Sequence, residues 1–433
     1  MQTSLWGIAR KSKQNKKYKF GNLYGLINKQ ALHTAWKEIN RSAAAGIDKI
    51  TAKEFGEDLD RNLDELLKEL KNKSYKARLT KRVNIPKGNG KTRPLGLPTL
   101  RDKIVQRAVA SILEAIYEQD FFNFSYGYRP NTSAQKAAKE LSDNLMGNYN
   151  YIVEADIRSF FDNIDHQWLI KMLKERIKDK AFIRLIVKWL KAGILNTDGK
   201  IINPKTGSPQ GSIVSPILAN IYLHYSLDLW FEKVVKKSIK GEACICRVAD
   251  DFVCAFRYKE DADRFYKVIG KRLGKFGLKL AEEKTKIIKF SKYDDVKSKS
   301  FDFVGFEYRW SKSKKGKNIV KRRTSRSKLK KSIQAFKDWC KRNRNSKFKW
   351  IIKMLNLKFR GYFNYYGVIG NSKGLYDFYN PAIKILFKWL NRRSQRKSFT
   401  WEEFNQAIKR YGLIRPKITE KKYKQIKLKV CFE

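Results

Sequence analysis

The stretch "CRVADDFVCAF", residues 246–256, sets Asp250 and Asp251 side by side between two apolar runs. Earlier in the chain, Asp156 closes the apolar run of "YIVEADIRSFFDNIDH" in the same way. A strand ending in Asp156 and a hairpin carrying Asp250 and Asp251 can share one antiparallel sheet and bring the three carboxylates together at one end of it. Charges so placed repel one another, which is costly unless cations sit among them. Mg²⁺ suits such a site, as a hard ion that takes carboxylate and phosphate oxygens. Two such ions would activate a 3′ hydroxyl and hold a leaving pyrophosphate, as in-line phosphoryl transfer requires. An Asp-Asp pair in a hairpin is by itself most often a solvated turn. The apolar flanks and the matching context of Asp156 favour chemistry.

Several elements must position these acids. Residues 1–80 are polar and mostly helical in pattern, with an apolar face at Phe55, Leu59, Leu63, Leu66, Leu67 and Leu70. "YKARLTKRVNIPKGNGKTRPLGLP" alternates and breaks at Gly88-Asn89-Gly90, which predicts a hairpin. The patterns then predict a helix over 101–119, a strand over 151–153 running into Asp156, and a helix over 168–190. A Gly/Pro loop, "GSPQGS", feeds a long helix. Two strands over 242–256 flank Ala249-Asp250-Asp251, and a helix covers 260–276. "LKLAEEKTKIIKF" and "FDFVGFEYRW" are strand candidates. Beyond 330 the pattern is helical, interrupted at "RGYFNYYGVIG", and a last small segment begins near 391. The expected class is α+β.

Lys and Arg total 95 against 42 Asp and Glu, a formal net charge of +53. Phosphate neutralisation with counterion release explains such an excess, so the expected partner is nucleic acid. An anionic membrane surface is a distant second, because no amphipathic anchor accompanies the charge. Residues 311–433 hold 36 basic and 6 acidic residues, and 312–330 hold ten basic and no acidic ones. A lysine-rich composition alone does not explain that asymmetry. The five cysteines are an odd number, and the three histidines, His33, His166 and His224, lie at no zinc-ligand spacing. Without a signal peptide, a reducing compartment is expected. No apolar run is long enough to span a membrane.

Six blocks carry a resemblance: "IPKGNGKTRPLGLPTLRDKIVQRAV", "FSYGYRP", "EADIRSFFDNIDH", "GSPQGSIVSPILANIYLH", "RVADDF" and "FVGF". In order and spacing the chain resembles the group II intron reverse transcriptases, also called maturases, over nearly its whole length. The resemblance implies a right-hand polymerase fold, with fingers and palm on antiparallel sheet, a helical thumb and a small basic DNA-binding region. The corresponding division is 1–80 for an amino-terminal extension and the start of the fingers, 81–310 for fingers and palm, 311–390 for the thumb and maturase region, and 391–433 for DNA binding. The implied activity is RNA-directed DNA synthesis from a primer 3′ end, with a role in splicing and mobility of a group II intron.

Carried over residue by residue, Asp156, Asp250 and Asp251 form the catalytic set. Asp156 and Asp250 would be the main ligands of two Mg²⁺ ions, which Mn²⁺ can replace, with the Ile157 backbone carbonyl beside them. Phe161 would be the aromatic gate against a 2′ hydroxyl, with Phe160 its rival and core packing the alternative. Lys87 and Arg93 would grip the triphosphate, unless they belong to a plain basic turn. Gly211 would let backbone approach the substrate, and Gln210 could bond a base or backbone. Gly305 resembles a primer-grip turn, or equally a bulge glycine. The tyrosine usual before Ala-Asp-Asp is Val248 here, which bears on fidelity or nucleotide fit. Cys244 and Cys246 share a strand face and read as core, and His166 reads as structural or substrate-adjacent.

Expected partners are structured intron RNA, an RNA template, a DNA primer or target and deoxynucleoside triphosphates, with no membrane. A dimer is one option. The expected location is cytoplasmic, nucleoid-associated and of bacterial type. The chain stops at Glu433 without the cysteine pairs of longer relatives, so no second-strand nuclease is expected. Two alternatives stay open at this point: an intron-independent reverse transcriptase of a diversity-generating, CRISPR-linked or defence system, and a catalytically idle RNA-binding splicing cofactor.

Overall fold

The computed structural model describes residues 2–88, 91–293, 299–313 and 315–420. Two compact units divide the chain: Met1–Ser133 with Ile152–Ile287, and Ala134–Tyr151 with Ile288–Glu433. Both mix helices and sheets, as the α+β expectation requires.

The first unit is organised around a four-stranded sheet in the order Ala243–Val248, Asp251–Phe256, Tyr151–Asp156, Lys286–Lys289. The run from Phe252 to Phe256 is buried without interruption, as are Ile152, Val153 and Ala155. A continuous apolar run of this length is what a strand covered on both faces needs. The helix Lys259–Gly274 packs against Asp251–Phe256, with Phe256 and Phe265 at 5.2 Å between ring centres. A second sheet holds the hairpin Thr80–Gly88 and Lys91–Leu97, extended by Ile194–Leu195 and Ile201–Ile202. The helix Leu100–Tyr117 starts at Thr99, whose side chain accepts from Asp102 N, and buries Ile104, Val105, Val109, Ile112, Leu113 and Ile116.

The single helix expected over 168–190 is two, His166–Lys174 and Lys180–Leu190. Asp179 causes the break. Its carboxylate accepts from the amides of Ala181 and Phe182, which caps a new helix. Between the two helices, Phe20 pairs through its backbone with Arg176 and Lys178.

The second unit carries a three-stranded sheet, Ser300–Phe303, Phe306–Lys312 and Asn318–Thr324. Among the described residues four helices follow, Arg326–Asn343, Phe348–Tyr366, Ser372–Leu390 and Trp401–Arg410. Phe303 pairs with Phe306, leaving Val304-Gly305 as a two-residue turn with φ of 44° and 81°. Such a turn matches the twist of the flanking strands and favours glycine. The interruption expected at "RGYFNYYGVIG" begins only at Gly367. The helix runs through Gly361 because Phe359 and Phe363 anchor it in the core. That core joins Phe336, Leu355, Phe378, Leu386 and Trp389 with Phe404, so the helix after residue 391 packs into the same interior. Arg322 and Glu420 form a two-pronged ion pair at 3.0 Å on each prong. No helix among the described residues is long and apolar enough to cross a membrane.

Candidate active site

The hairpin register decides where the acids sit. Val248 pairs with Asp251, so Ala249-Asp250 forms a two-residue turn. Ala249 takes φ 59°, a left-handed conformation that an alanine enters only under constraint. The constraint comes from beneath. Arg247 and Asp228 are both 0 % exposed. Arg247 Nε and Nη2 donate to the two Asp228 oxygens at 2.8 and 2.6 Å. The same guanidinium donates to Asn220 Oδ1, Ser125 Oγ and the Ala249 carbonyl. An arginine has five donors in a fixed fork, and this one spends them around the turn that carries Asp250.

Next to that hairpin, the strand Tyr151–Asp156 delivers Asp156. Asp156, Ile157, Tyr128, Phe161, Arg93, Gln210, Gly211, Asp250 and Lys284 all line one cavity of about 670 Å³. Ile157 bridges to Leu280, but the bonds come from its neighbours, Arg158 N to Lys279 O and Ala281 N to Asp156 O. The pairing therefore does not consume the Ile157 carbonyl. Lys284, which the sequence did not single out, places its ammonium on the Asp156 carboxylate.

Burial raises the Asp250 carboxyl, and the Asp156 charge adds to it against Arg93 and Lys284. Asp251 is pushed up to about 7, first by burial, then by Asp156, Asp250 and Glu154. Among the described residues, no three acidic, histidine or cysteine side chains converge closely enough to hold a metal ion unaided.

The raised Asp251 has a measurable consequence. Folding favours its protonated form, so its contribution to stability is full below the ordinary value of 3.8 and is lost as pH rises through about 7. A divalent cation offsets the repulsion only where the carboxylates are ionised. Mg²⁺ is therefore expected to raise the melting temperature more at pH 7.5 than at pH 5.5, with the difference shrinking in Asp251→Asn. Equal Mg²⁺ shifts at both pH values would contradict this.

Phe160 is 2 % exposed and Phe161 half-buried at the cavity, 5.5 Å apart between ring centres. Arg93 is exposed on its strand, but the Lys87 side chain, Asn89 and Gly90 lie outside the described residues. Gly211 has φ 108°, and a Cβ there would meet the Gly96 carbonyl at 2.4 Å. The close approach that demands glycine is thus to the hairpin strand Lys91–Leu97, whose Gly96 amide also donates to the Gln210 carbonyl. Gly305 belongs to the other unit. His166 is buried with Nε2 2.7 Å from the Gly207 carbonyl, a structural role. Cys246 and Cys254 are buried and Cys244 half-buried, and none of the three is in a disulfide. Sequence reasoning missed Arg247 and Asp228. Their signal was a charge inside an apolar run, "CICRVA" and "YSLDLWF", which needs a buried partner.

Residues 327–411 match the maturase-specific domain of group II introns. The Lactococcus lactis subsp. cremoris "Group II intron-encoded protein LtrA" is 39% identical over 222 residues, 50% of this chain and 36% of that protein. Escherichia coli (strain K12) "Protein YkfC" is 35% identical over 237 residues, 48% of this chain and 62% of that protein. An "Uncharacterized 91 kDa protein in cob intron" of Schizosaccharomyces pombe is 39% identical over 206 residues, 46% of this chain and 25% of that protein. The matched part thus spans between a quarter and under two thirds of these relatives' lengths. Residues 85–308, just over half of the chain, match the reverse transcriptase model and take in the hairpin, the sheet and every acid of the cavity. The chain belongs to the reverse transcriptase (RNA-dependent DNA polymerase) family.

Proposed function

We propose that this chain copies an RNA template into DNA from a primer 3′ end and also assists the splicing and mobility of a group II intron RNA. The observation that carries the polymerase reading is the cavity in which Asp156 and Asp250 meet Arg93, Phe161 and Gln210. In the reaction, the primer O3′ bonds to the α-phosphorus of a deoxynucleoside triphosphate and the bond to pyrophosphate breaks in line. Asp156, Asp250 and the Ile157 carbonyl would hold two Mg²⁺ ions, with Asp251 as the adjoining charge. The chemistry such ions supply when bound is activation of the 3′ hydroxyl and neutralisation of the departing pyrophosphate. Lys87 and Arg93 take the triphosphate from the hairpin. Phe161 meets the sugar where a 2′ hydroxyl would clash, and Gln210, which lines the same cavity with Gly211, bonds a base or backbone. Gly305 serves a primer grip.

The maturase reading rests on the match over 327–411 and on charge. Burial and the neighbouring Arg323 and Arg326 push the Arg309 guanidinium below its ordinary value, against Glu307. Crowded guanidiniums of this kind are relieved by phosphate. On the helix Phe348–Tyr366, exposed Trp350 and Leu357 alternate with exposed Lys353 and Arg360, a mixture suited to RNA backbone and stacking. We assign the intron RNA to the region from 311 and DNA contact to the segment from 391.

The test is primer extension on an RNA template with deoxynucleotides, in Mg²⁺ and in excess chelator. Extension that needs the ion is the expected result. A folded protein that binds RNA but extends no primer in Mg²⁺ or Mn²⁺ would overturn the polymerase reading and leave the splicing-cofactor one.

A further inference from the structure

The block "FSYGYRP" has no role in the reaction as described so far, yet the structure ties it directly to the catalytic turn. Its backbone lies along the strand Ala243–Val248. Arg247 N donates to Phe124 O, and Tyr126 N donates to Arg247 O at 2.8 Å. Gly127 is pressed so close to the turn that a Cβ on it would stand 2.2 Å from Ala249 N. Its carbonyl accepts from Asn220 Nδ2 at 2.7 Å, the residue whose oxygen holds Arg247. Arg129, on the far side, fastens the loop by donating to the Phe122 and Ser125 carbonyls and pairing with Glu118.

Between these two fixed residues stands Tyr128, at φ 56°. A bulky aromatic in the left-handed region is an outlier, and such strain persists where surrounding structure enforces it, commonly at functional sites. The effect of the strained backbone is to throw the ring outward. Tyr128 is 55 % exposed and lines the cavity with Asp156, Asp250 and Arg93. Its ring meets Phe161 edge to face, with centres 6.2 Å apart at 75°. On the inner side Phe161 meets the buried Phe160, also edge to face, at 5.5 Å. Phe161 is therefore held by one buried ring and one exposed ring. The buried one is fixed by the core, so the outer brace decides how far Phe161 can swing into or out of the cavity.

We propose that Tyr128 is a positioning residue for sugar selection: its ring braces Phe161 and so sets the discrimination between deoxy- and ribonucleotides. The proposal rests on Phe161 being the residue that meets the sugar. A brace acts on selectivity, because a freer Phe161 ring yields to a 2′ hydroxyl. The hydroxyl of Tyr128 is not needed for this, whereas the ring is.

The experiment compares kcat/KM for a deoxy- and the matching ribonucleoside triphosphate on one RNA template and primer, in the wild type, Tyr128→Phe, Tyr128→Ala, Tyr128→Gly and Phe161→Ala. Tyr128→Ala and Tyr128→Gly are each expected to lower the discrimination ratio by about fivefold, the size of one lost aromatic pair, and Tyr128→Phe to keep it. Tyr128→Gly also relieves the backbone, so a folded variant without the ring exists even if alanine is poorly tolerated. A purely structural role would lower both kcat/KM values together and leave the ratio alone. An unchanged ratio in Tyr128→Gly, while Phe161→Ala loses discrimination, overturns the proposal and leaves the gate standing. An unchanged ratio in Phe161→Ala overturns the gate, and with it the brace.

Discussion

Asp250→Asn is expected to lower primer extension by about a thousandfold or more while raising the melting temperature of the metal-free protein. The two effects have one cause. Asp250 sits where burial and the Asp156 charge disfavour its ionised form, so an ionised Asp250 works against the fold. Asparagine keeps the shape and removes the repulsion with Asp156 and Asp251. It also removes the oxygen charge that would hold a divalent ion against a triphosphate. Lys284 is positive and already engaged with Asp156. Adding Mg²⁺ should then raise the melting temperature of the wild type more than that of the variant. RNA binding should be retained, since the basic surface is untouched. Extension within about tenfold of wild type would remove Asp250 from the chemistry. A large fall in melting temperature would mean that its carboxylate supports the turn.

The second large effect is on stability. Asp228→Leu, or Arg247→Met, leaves one buried charge without its partner, and each is expected to cost about 3–5 kcal/mol. The double variant Asp228→Leu/Arg247→Met removes both charges and should recover part of that loss, because desolvating an ion pair offsets much of its attraction. It should not recover extension. Methionine cannot donate to the Ala249 carbonyl, to Ser125 or to Asn220, so the left-handed turn under Asp250 loses its support. Denaturant unfolding of the four proteins measures the coupling, and primer extension by the double variant separates stability from positioning. Equal losses that simply add would show that the two side chains do not act as a pair.

The contrast between these residues indicates what the sequence could carry. The strand-end places of Asp156 and Asp250 were legible because each follows an apolar run along the chain. The same logic located the hairpin "IPKGNGKTRP" and the helix Leu100–Tyr117, whose period and cap are local properties. The split of 168–190 was less legible because the two helices share one apolar periodicity. The first ends in a turn at Glu175-Arg176, beside which Phe20 pairs with the backbone, and Asp179 caps a fresh start.

By itself, then, the sequence determined the strand-then-acid pattern, the basic excess and the order of the six blocks, all of which depend on neighbours along the chain. Only the tertiary structure decided that Phe160 is buried while Phe161 is the more open of the two at the cavity both line, that Gly211 is glycine because of Gly96, and that Arg247 meets Asp228, Asn220 and Ser125 under the turn. Those pairings join residues far apart in sequence. Their physical requirement, a partner for each buried charge and space for each close approach, leaves no local period to read.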